Sequence, residues 1–462
     1  MRNSKKKNPW DHPNRAHPST MSGVSDKARF YLEQSVPELQ DDLRKQIFSR
    51  EEIASITKKR SDFEHVLNAR GSTPADYIRY AEYEMNLNSL RLKRIKRLGI
   101  KTSNYTGARR IFFVLDRGTR KFQGDLGLWM QYISFARSQK SYKKLEQILT
   151  SVLRLHPTKA QLWIYAASYS LEVQADIGGA RGYMQRGVRF CTKSRNIWVE
   201  YAKLEMIYIA KIEGRRRILG LDQDRTAPEE MEVDDTNADE IALPSITAED
   251  INPNMPKDDS IDEVALQNLA ASPVLNGAIP IAVFDAAIKE FNNDPAVAEA
   301  FFDMFTEFAN ISCTKRILQH ILEILETSSA DTVPTLCCAF RLHIIGVKPS
   351  SAVFPSALRQ TLDGVKKAQA ASSSPIILEK AILCLTPIAA VEELDIALEK
   401  VVKASLRQYL KKLNNADVLT SIVEKLAKDK HTEQARTLAE IATAVHAGNE
   451  QLVKLKATLG GT

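Results

Sequence analysis

The residues with the clearest chemistry in this sequence are basic. One cluster lies within residues 90–105 and consists of Arg91, Lys93, Arg94, Lys96 and Arg97, which alternate with leucine and isoleucine. Guanidinium and ammonium groups bind phosphate oxygens, so such a cluster could contact RNA or an acidic partner. A solvated charged helix face is an equally good interpretation of the same pattern.

A second set of arginines recurs at one offset. Arg120, Arg154 and Arg189 each stand nine residues before a tryptophan. A residue type that recurs in this way is expected on one face of stacked repeats. The plainer interpretation is a cation near the negative end of a helix dipole, exposed to water. The sharper one is a basic row that contacts RNA phosphate or an acidic partner.

Other chemistry has little support in the sequence. It contains no phosphate-binding GxxxxGK[ST] loop, no GxSxG nucleophile motif and no HExxH metal pair, and its eight histidines are dispersed. The five cysteines form no CxxC pair and are expected to be reduced and buried. We therefore expect no enzyme, no cofactor or metal and no small-molecule substrate. No apolar run is long enough to predict a membrane span.

A repeat must position the basic residues. Trp129, Trp163 and Trp198 are separated by 34 and 35 residues, and a weaker copy of the pattern opens at Tyr77. A period in this range is typical of solenoids built from helix pairs. Core packing is the favoured role of the recurring positions, which are Tyr77, Tyr80, Trp129, Tyr132, Trp163, Ala166, Trp198 and Tyr201.

Charge and composition divide the chain. Residues 1–225 contain 43 Lys and Arg against 23 Asp and Glu, whereas the remainder is acidic. The changes in charge and composition predict five regions. The first three are a disordered basic tail over 1–25, an N-terminal helical region over 26–73 and repeats with a basic insertion over 74–225. An acidic disordered linker over 226–263 and degenerate helical repeats over 264–462 follow. Disorder of the two polar stretches is expected because they cannot bury enough apolar surface.

Local signals predict helices on both sides of the acidic stretch. A helix is expected over 37–47, and Ser49 with Glu52 forms a capping box that should start the next one. Beyond the linker, the stretch 281–291 predicts a second helix of a repeat, and the Asn and Pro residues after it predict a turn. Later helices should be punctuated by Pro334, Pro349, Pro355, Pro375 and Pro387.

Several N-terminal segments together resemble a known family. They are Phe30–Gln34, Val36–Leu39, Ile47–Ile53, Arg60–Glu64 and the Tyr80-x-x-Tyr83-Glu84 motif, and they resemble the U3 small nucleolar RNA-associated protein 6 family. The similarity runs from about Ala28 to Ala210. It implies an all-α solenoid of HAT (half-a-tetratricopeptide) repeats.

The resemblance also implies a function. It is that of a nucleolar assembly scaffold in the UTP-B module of the small-subunit processome, which supports processing of pre-18S ribosomal RNA. Its partners would be processome proteins, including WD-repeat subunits, and the pre-ribosomal RNA and U3 RNA particle. The N-terminal region would dock proteins through Phe30, Tyr31, Leu32, Val36, Pro37, Leu39, Phe48 and Phe63. A HAT-repeat role in splicing or 3′-end processing is the alternative.

Overall fold

The computed structural model describes residues 24–100, 105–218, 275–391, 394–413, 416–428, 432–446, 451, 454–456 and 458. Most of the predicted tail and the whole predicted linker, 226–263, lie outside the described residues. Within them every regular element is a helix, and no strand occurs. The all-α prediction is confirmed.

The chain forms two compact units, one up to Leu162 and one from Trp163. The first unit contains α1 (Val24–Glu33), α2 (Val36–Arg44), α3 (Arg50–Asn68), α4 (Pro74–Leu98), α5 (Tyr105–Lys121), α6 (Leu126–Ser138) and α7 (Tyr142–Leu155). Within it, α4 contacts both α5 and α6, and α6 contacts α7. Contact of a helix with the next two along the chain is typical of stacked helix pairs.

The second unit begins within α8 (Ala160–Val173). It continues through α9 (Ile177–Phe190), α10 (Arg195–Ile218), α11 (Ala278–Glu290), α12 (Pro295–Thr306), α13 (Thr314–Ser329), α14 (Val333–Leu342), α15 (Phe354–Ala371), α16 (Pro375–Ala389), α17 (Ile396–Lys412), α18 (Ala416–Lys428) and α19 (Thr432–Val445). Consecutive helices again pack on one another, as α14 does on both α15 and α16. The same principle of stacked pairs therefore extends to the part without tryptophans.

The local start signals work as elementary chemistry predicts. The Ser49 side chain accepts a hydrogen bond from the Glu52 backbone N–H, and the Glu52 carboxylate accepts one from the Ser49 backbone N–H, which confirms the capping box. Helix α4 is capped by Gly99, whose φ of 66° is the left-handed conformation that favours glycine. Asn292 and Asn293 also have positive φ and form the predicted turn between α11 and α12.

The recurring repeat positions, which are seven aromatic residues and Ala166, lie in the core. All eight are buried, and Trp129 and Trp198 show how the position is built. Each indole N–H donates to the backbone carbonyl six residues earlier, Gln123 at 2.9 Å and Thr192 at 3.0 Å. The side chain thus packs in the core while its one polar group ties the helix to the turn before it.

Two glycines allow the helices to approach closely. Gly118 and Gly187 stand eleven residues before Trp129 and Trp198, each on the second helix of a pair. A Cβ atom on Gly187 would lie 2.8 Å from the Cβ of Trp163 and 2.7 Å from Ile197. These distances are shorter than van der Waals contact, so only glycine fits this seam without a shift of its neighbours.

Some predicted boundaries move. Helix α2 begins at Val36 and ends at Arg44, short of the predicted residue 47. The insertion over 90–105 is indeed a helical extension, but α4 ends at Leu98 and residues 101–104 are outside the described part. Pro387 does not separate helices: it lies inside α16, two residues before that helix ends. A proline ring clashes with the preceding turn and can bend a helix, but only two residues of α16 follow Pro387.

Helices on either side of the acidic stretch pack together. Helix α10 precedes it and contacts both α11 and α12, which follow it. Lys203 of α10 forms an ion pair of 2.7 Å with Glu307, and Glu213 accepts a hydrogen bond from the Ser312 backbone N–H. The acidic stretch therefore interrupts a packed unit in the chain order, where the sequence predicted a linker between two helical blocks.

The glycine seam yields a stability prediction. Gly187→Ala should lower the free energy of unfolding by about 1–3 kcal/mol, because the new methyl group overpacks the contact with Trp163. The matched control is Gly214→Ala in α10, where a Cβ meets nothing within 4 Å. The control should stabilise by about 0.4–1 kcal/mol, since alanine is the better helix former. Urea unfolding of both variants measures this; equal effects would contradict the seam.

Candidate docking surface and basic clusters

The N-terminal helices share a small core. Leu39 of α2, Ile47 and Phe48 of the turn after it, and Ile56 of α3 pack together with Ile95 of α4. Phe48 is buried and cannot reach a partner while this core is intact, so its predicted role in docking is corrected. Leu39 is also buried in this core, but it lines the neighbouring groove as well. Both side chains hold α2 and α3 against the long helix.

Two further predicted docking residues form aromatic contacts inside the unit. The Tyr31 ring packs on Phe113 at 5.4 Å, and the Arg117 guanidinium lies 4.0 Å from its centre. The Phe63 ring stacks on Tyr80 at 4.9 Å. Tyr31 and Phe63 are half-buried, and their ring contacts attach α1 and α3 to the repeats.

The remaining predicted docking residues surround an open groove. Leu32 and Val36 line it together with Leu39, Leu43 and Ile53, and its volume is about 290 Å³. Val36 and Leu43 are 43% and 42% exposed, and Phe30 and Pro37 are exposed beside it. The polar lining includes Arg29, Glu33, Ser35, Gln40 and Thr57. An apolar floor with a polar rim is the arrangement of protein-binding sites.

Two of the five basic residues in the insertion are neutralised by internal partners. The Arg91 Nε donates to both carboxylate oxygens of Asp42 at 3.0 Å, and both side chains are buried. Arg94 forms a bidentate pair with Glu52, with two contacts of 2.7 Å, and donates to the Ile47 carbonyl. RNA contact by Arg91 and Arg94 is therefore corrected: these arginines fasten α2 and α3 to α4.

Other predicted basic residues remain on the surface. Lys93, Lys96 and Arg97 are exposed and have no ion pair among the described residues. Arg120, Arg154 and Arg189 are also exposed, each in the last turn of its helix. Arg120 is paired with Asp116 at 2.8 Å, whereas Arg154 and Arg189 form no ion pair within the described ranges.

Two arginine–glutamate pairs within the helical packing were not predicted from the sequence. Arg60 binds both oxygens of Glu84 at 2.7 and 2.8 Å, and Arg181 binds both of Glu205 at 2.6 Å. In both pairs the residues are 24 apart and the glutamate stands seven residues after the aromatic that opens the repeat. That shared spacing was the available signal.

The described residues offer little for catalysis. No group of His, Cys, Asp and Glu in the described part of the chain could hold a metal ion. Burial raises the pKa of the Cys338 thiol to about 12 and that of Cys337 to about 11, so both stay protonated at neutral pH. No helix within the described ranges is long and apolar enough to span a bilayer.

The Arg94–Glu52 pair yields a pH prediction. The hydrogen bond from Arg94, with that from the Ser49 N–H, lowers the pKa of Glu52 from its ordinary 4.5 to about 2. A lowered folded-state pKa contributes stability that is complete above the ordinary value and is lost as pH falls toward 2. Glu52→Gln should therefore destabilise at pH 7 and lose that effect in acid.

Chemical denaturation of both proteins between pH 7 and pH 3 measures this difference. Glutamine can keep the capping hydrogen bond from the Ser49 N–H through its single amide oxygen, but it loses one of the two hydrogen bonds from Arg94. That loss does not titrate, so the pH dependence of the difference reports the charge. In a protein that already carries Arg94→Met, the pH dependence of the Glu52→Gln effect should be mostly gone. A difference that stays constant over the whole range would contradict the assignment.

Comparison with known proteins bears on the same N-terminal region. Residues 32–111 match the family model described as U3 small nucleolar RNA-associated protein 6. This range begins in α1, includes all of α2, α3 and α4, and ends in α5, so it contains most of the groove and both neutralised arginines.

Relatives extend the similarity into the repeats. The U3 small nucleolar RNA-associated protein 6 of Schizosaccharomyces pombe is 40% identical over 200 residues, which are 42% of this chain and 41% of that protein. The homologues of mouse and human are 31% and 30% identical, over 40% and 39% of this chain and 32% and 31% of their own lengths. The matched part of the chain thus spans less than half the length of these relatives. The N-terminal part of this chain is thus similar to the U3 small nucleolar RNA-associated protein 6 family.

Proposed function

We propose that this chain is a non-catalytic assembly scaffold of the small-subunit processome. In that role it supports U3-dependent processing of pre-18S ribosomal RNA, and hence production of the small ribosomal subunit, in the nucleolus. The similarity of its N-terminal region to proteins named as U3 small nucleolar RNA-associated supports this proposal. Pre-ribosomal RNA and the U3 particle would be reached directly or through other proteins.

The observation that carries the proposal is the open groove within the matched segment. Val36 and Leu43 of this groove stay solvent-exposed although the adjoining core of Phe48 and Ile56 is closed. A complex in which a partner covers this exposed apolar surface is stabilised, because the covered area is removed from water. A protein segment with an apolar side chain at its centre fits this surface.

We assign the groove to a WD-repeat subunit of UTP-B. The polar lining includes both Arg29 and Glu33, which pair with each other at 3.0 Å and leave no strong net charge at the rim. A nearly neutral rim around an apolar floor does not favour a polyanion, and RNA would gain little there. The contact is therefore expected to persist when RNA is removed.

Substitution of the groove residues tests this assignment. Val36→Glu with Leu43→Lys should reduce recovery of the WD-repeat partner at least about tenfold, because two charges would be buried in an apolar contact. Each new charge suits the dipole at its end of α2, so folding should be preserved. Affinity purification after complete RNA digestion, with identification of the bound proteins, provides the measurement.

The matched control is Ile376→Glu with Val401→Lys, at two apolar residues of the second unit that are 46% and 45% exposed. The control keeps the same net charge and should leave recovery unchanged. Equal loss in both variants, or loss of the partner on RNA digestion alone, would contradict the scaffold proposal. Recovery of splicing or 3′-end processing factors in place of processome proteins would support the alternative HAT-repeat role.

A further inference from the structure

The end of α9 carries an uncompensated basic surface. Residues 177–199 contain no Asp or Glu, and of their basic residues only Arg181 forms an ion pair, with Glu205. The four others are exposed and form no ion pair with any described residue. They are Arg186, Arg189, Lys193 and Arg195.

Helix stabilisation does not account for this surface. A cation in the last turn of α9 is favourable, and Arg189 alone satisfies that preference. Lys193 and Arg195, however, lie just before and at the start of α10, where the helix dipole disfavours cations. Their charges therefore require another explanation, and binding of an anion supplies one.

An exposed aromatic side chain, Phe190, lies within five residues of each of these charges in the sequence. Phe190 is 57% exposed, yet its ring stacks on buried Trp163 with a centroid distance of 5.8 Å and an interplanar angle of 12°. One face of the Phe190 ring is therefore held by the core indole while much of the side chain remains open to solvent. The preceding repeat has Leu155 at the same position, so the packing of the array does not require an aromatic there.

We propose that this surface binds single-stranded RNA. The four cations contact backbone phosphates, and one unpaired base stacks on the open face of Phe190, which Trp163 holds in place. Stacking on an aromatic ring needs a base that is free of its helix, so a single strand fits and a duplex does not. The inference goes beyond protein docking and does not depend on the groove, which lies in the other compact unit.

The electrostatic half of the proposal is tested by salt dependence. The full chain is titrated with a mixed-sequence single-stranded RNA of about 12 nucleotides, within the range bound by single-strand proteins. Changing Arg186, Arg189, Lys193 and Arg195 to Gln should flatten the slope of log affinity against log salt by about 3, since each phosphate contact contributes about 0.7. The control changes exposed Lys400, Arg407, Lys411 and Lys425 to Gln and should leave the slope unchanged.

The aromatic half is tested at one position. Phe190→Leu still covers Trp163 but removes the ring, and should weaken binding of the single strand about 5- to 100-fold. Phe190→Trp restores a ring and should bind within about threefold of the original protein. Melting temperatures of the variants establish whether each one remains folded.

Three results would overturn the proposal. The first is single-strand affinity that is unchanged in the four-residue variant. The second is equal binding of a duplex of the same length, with no effect of Phe190→Leu. The third is competition by polyglutamate as strong as that by RNA, which would assign the surface to an acidic protein. None of these results depends on recovery of a processome protein, so the docking proposal is judged separately.

Discussion

The seam between consecutive helix pairs is the constraint on which the repeats depend. A single pair cannot bury its apolar face alone, so each must pack tightly on the next. Trp129 and Trp198 serve this purpose with a buried indole whose N–H is used by the preceding turn. Gly118 and Gly187 let the second helix of a pair approach where any side chain would collide. Large aromatic side chains on one helix thus pack against glycines on another.

Internal charge pairing decides which basic residues are free to bind partners. Arg60, Arg91 and Arg181 are used by Glu84, Asp42 and Glu205 within the helical packing. A buried charge without its partner would be costly, so these arginines are committed to the fold. Other cations stay exposed, and among them Arg186 and Arg189 lie on the same helix as Phe190. Protein docking and RNA binding are accordingly proposed at different places.

Prediction from sequence succeeded where a local pattern decides the structure. The Ser49–Glu52 capping box and the turn at Asn292 and Asn293 involve residues close in the chain, and both are present. The prediction that the basic insertion contacts RNA or an acidic partner was partly wrong, because Arg91 pairs with Asp42, which is 49 residues away in the chain. Helical periodicity shows that a residue lies on one face of a helix, but it cannot show what the facing helix offers. Phe48 was misassigned to docking for the same reason.

The helical repeat can be predicted from the sequence alone, because a period of 34 and 35 residues between tryptophans is visible without any contact. So can the similarity of the N-terminal segments to the U3 small nucleolar RNA-associated protein 6 family. Tertiary packing decides which apolar residues close a core and which leave a groove at Val36 and Leu43. It also stacks Phe190 on Trp163, in a stretch where Arg186, Arg189 and Lys193 form no ion pair with any described residue. Burial and ion pairing arise from helices far apart in the chain, and no local pattern encodes them.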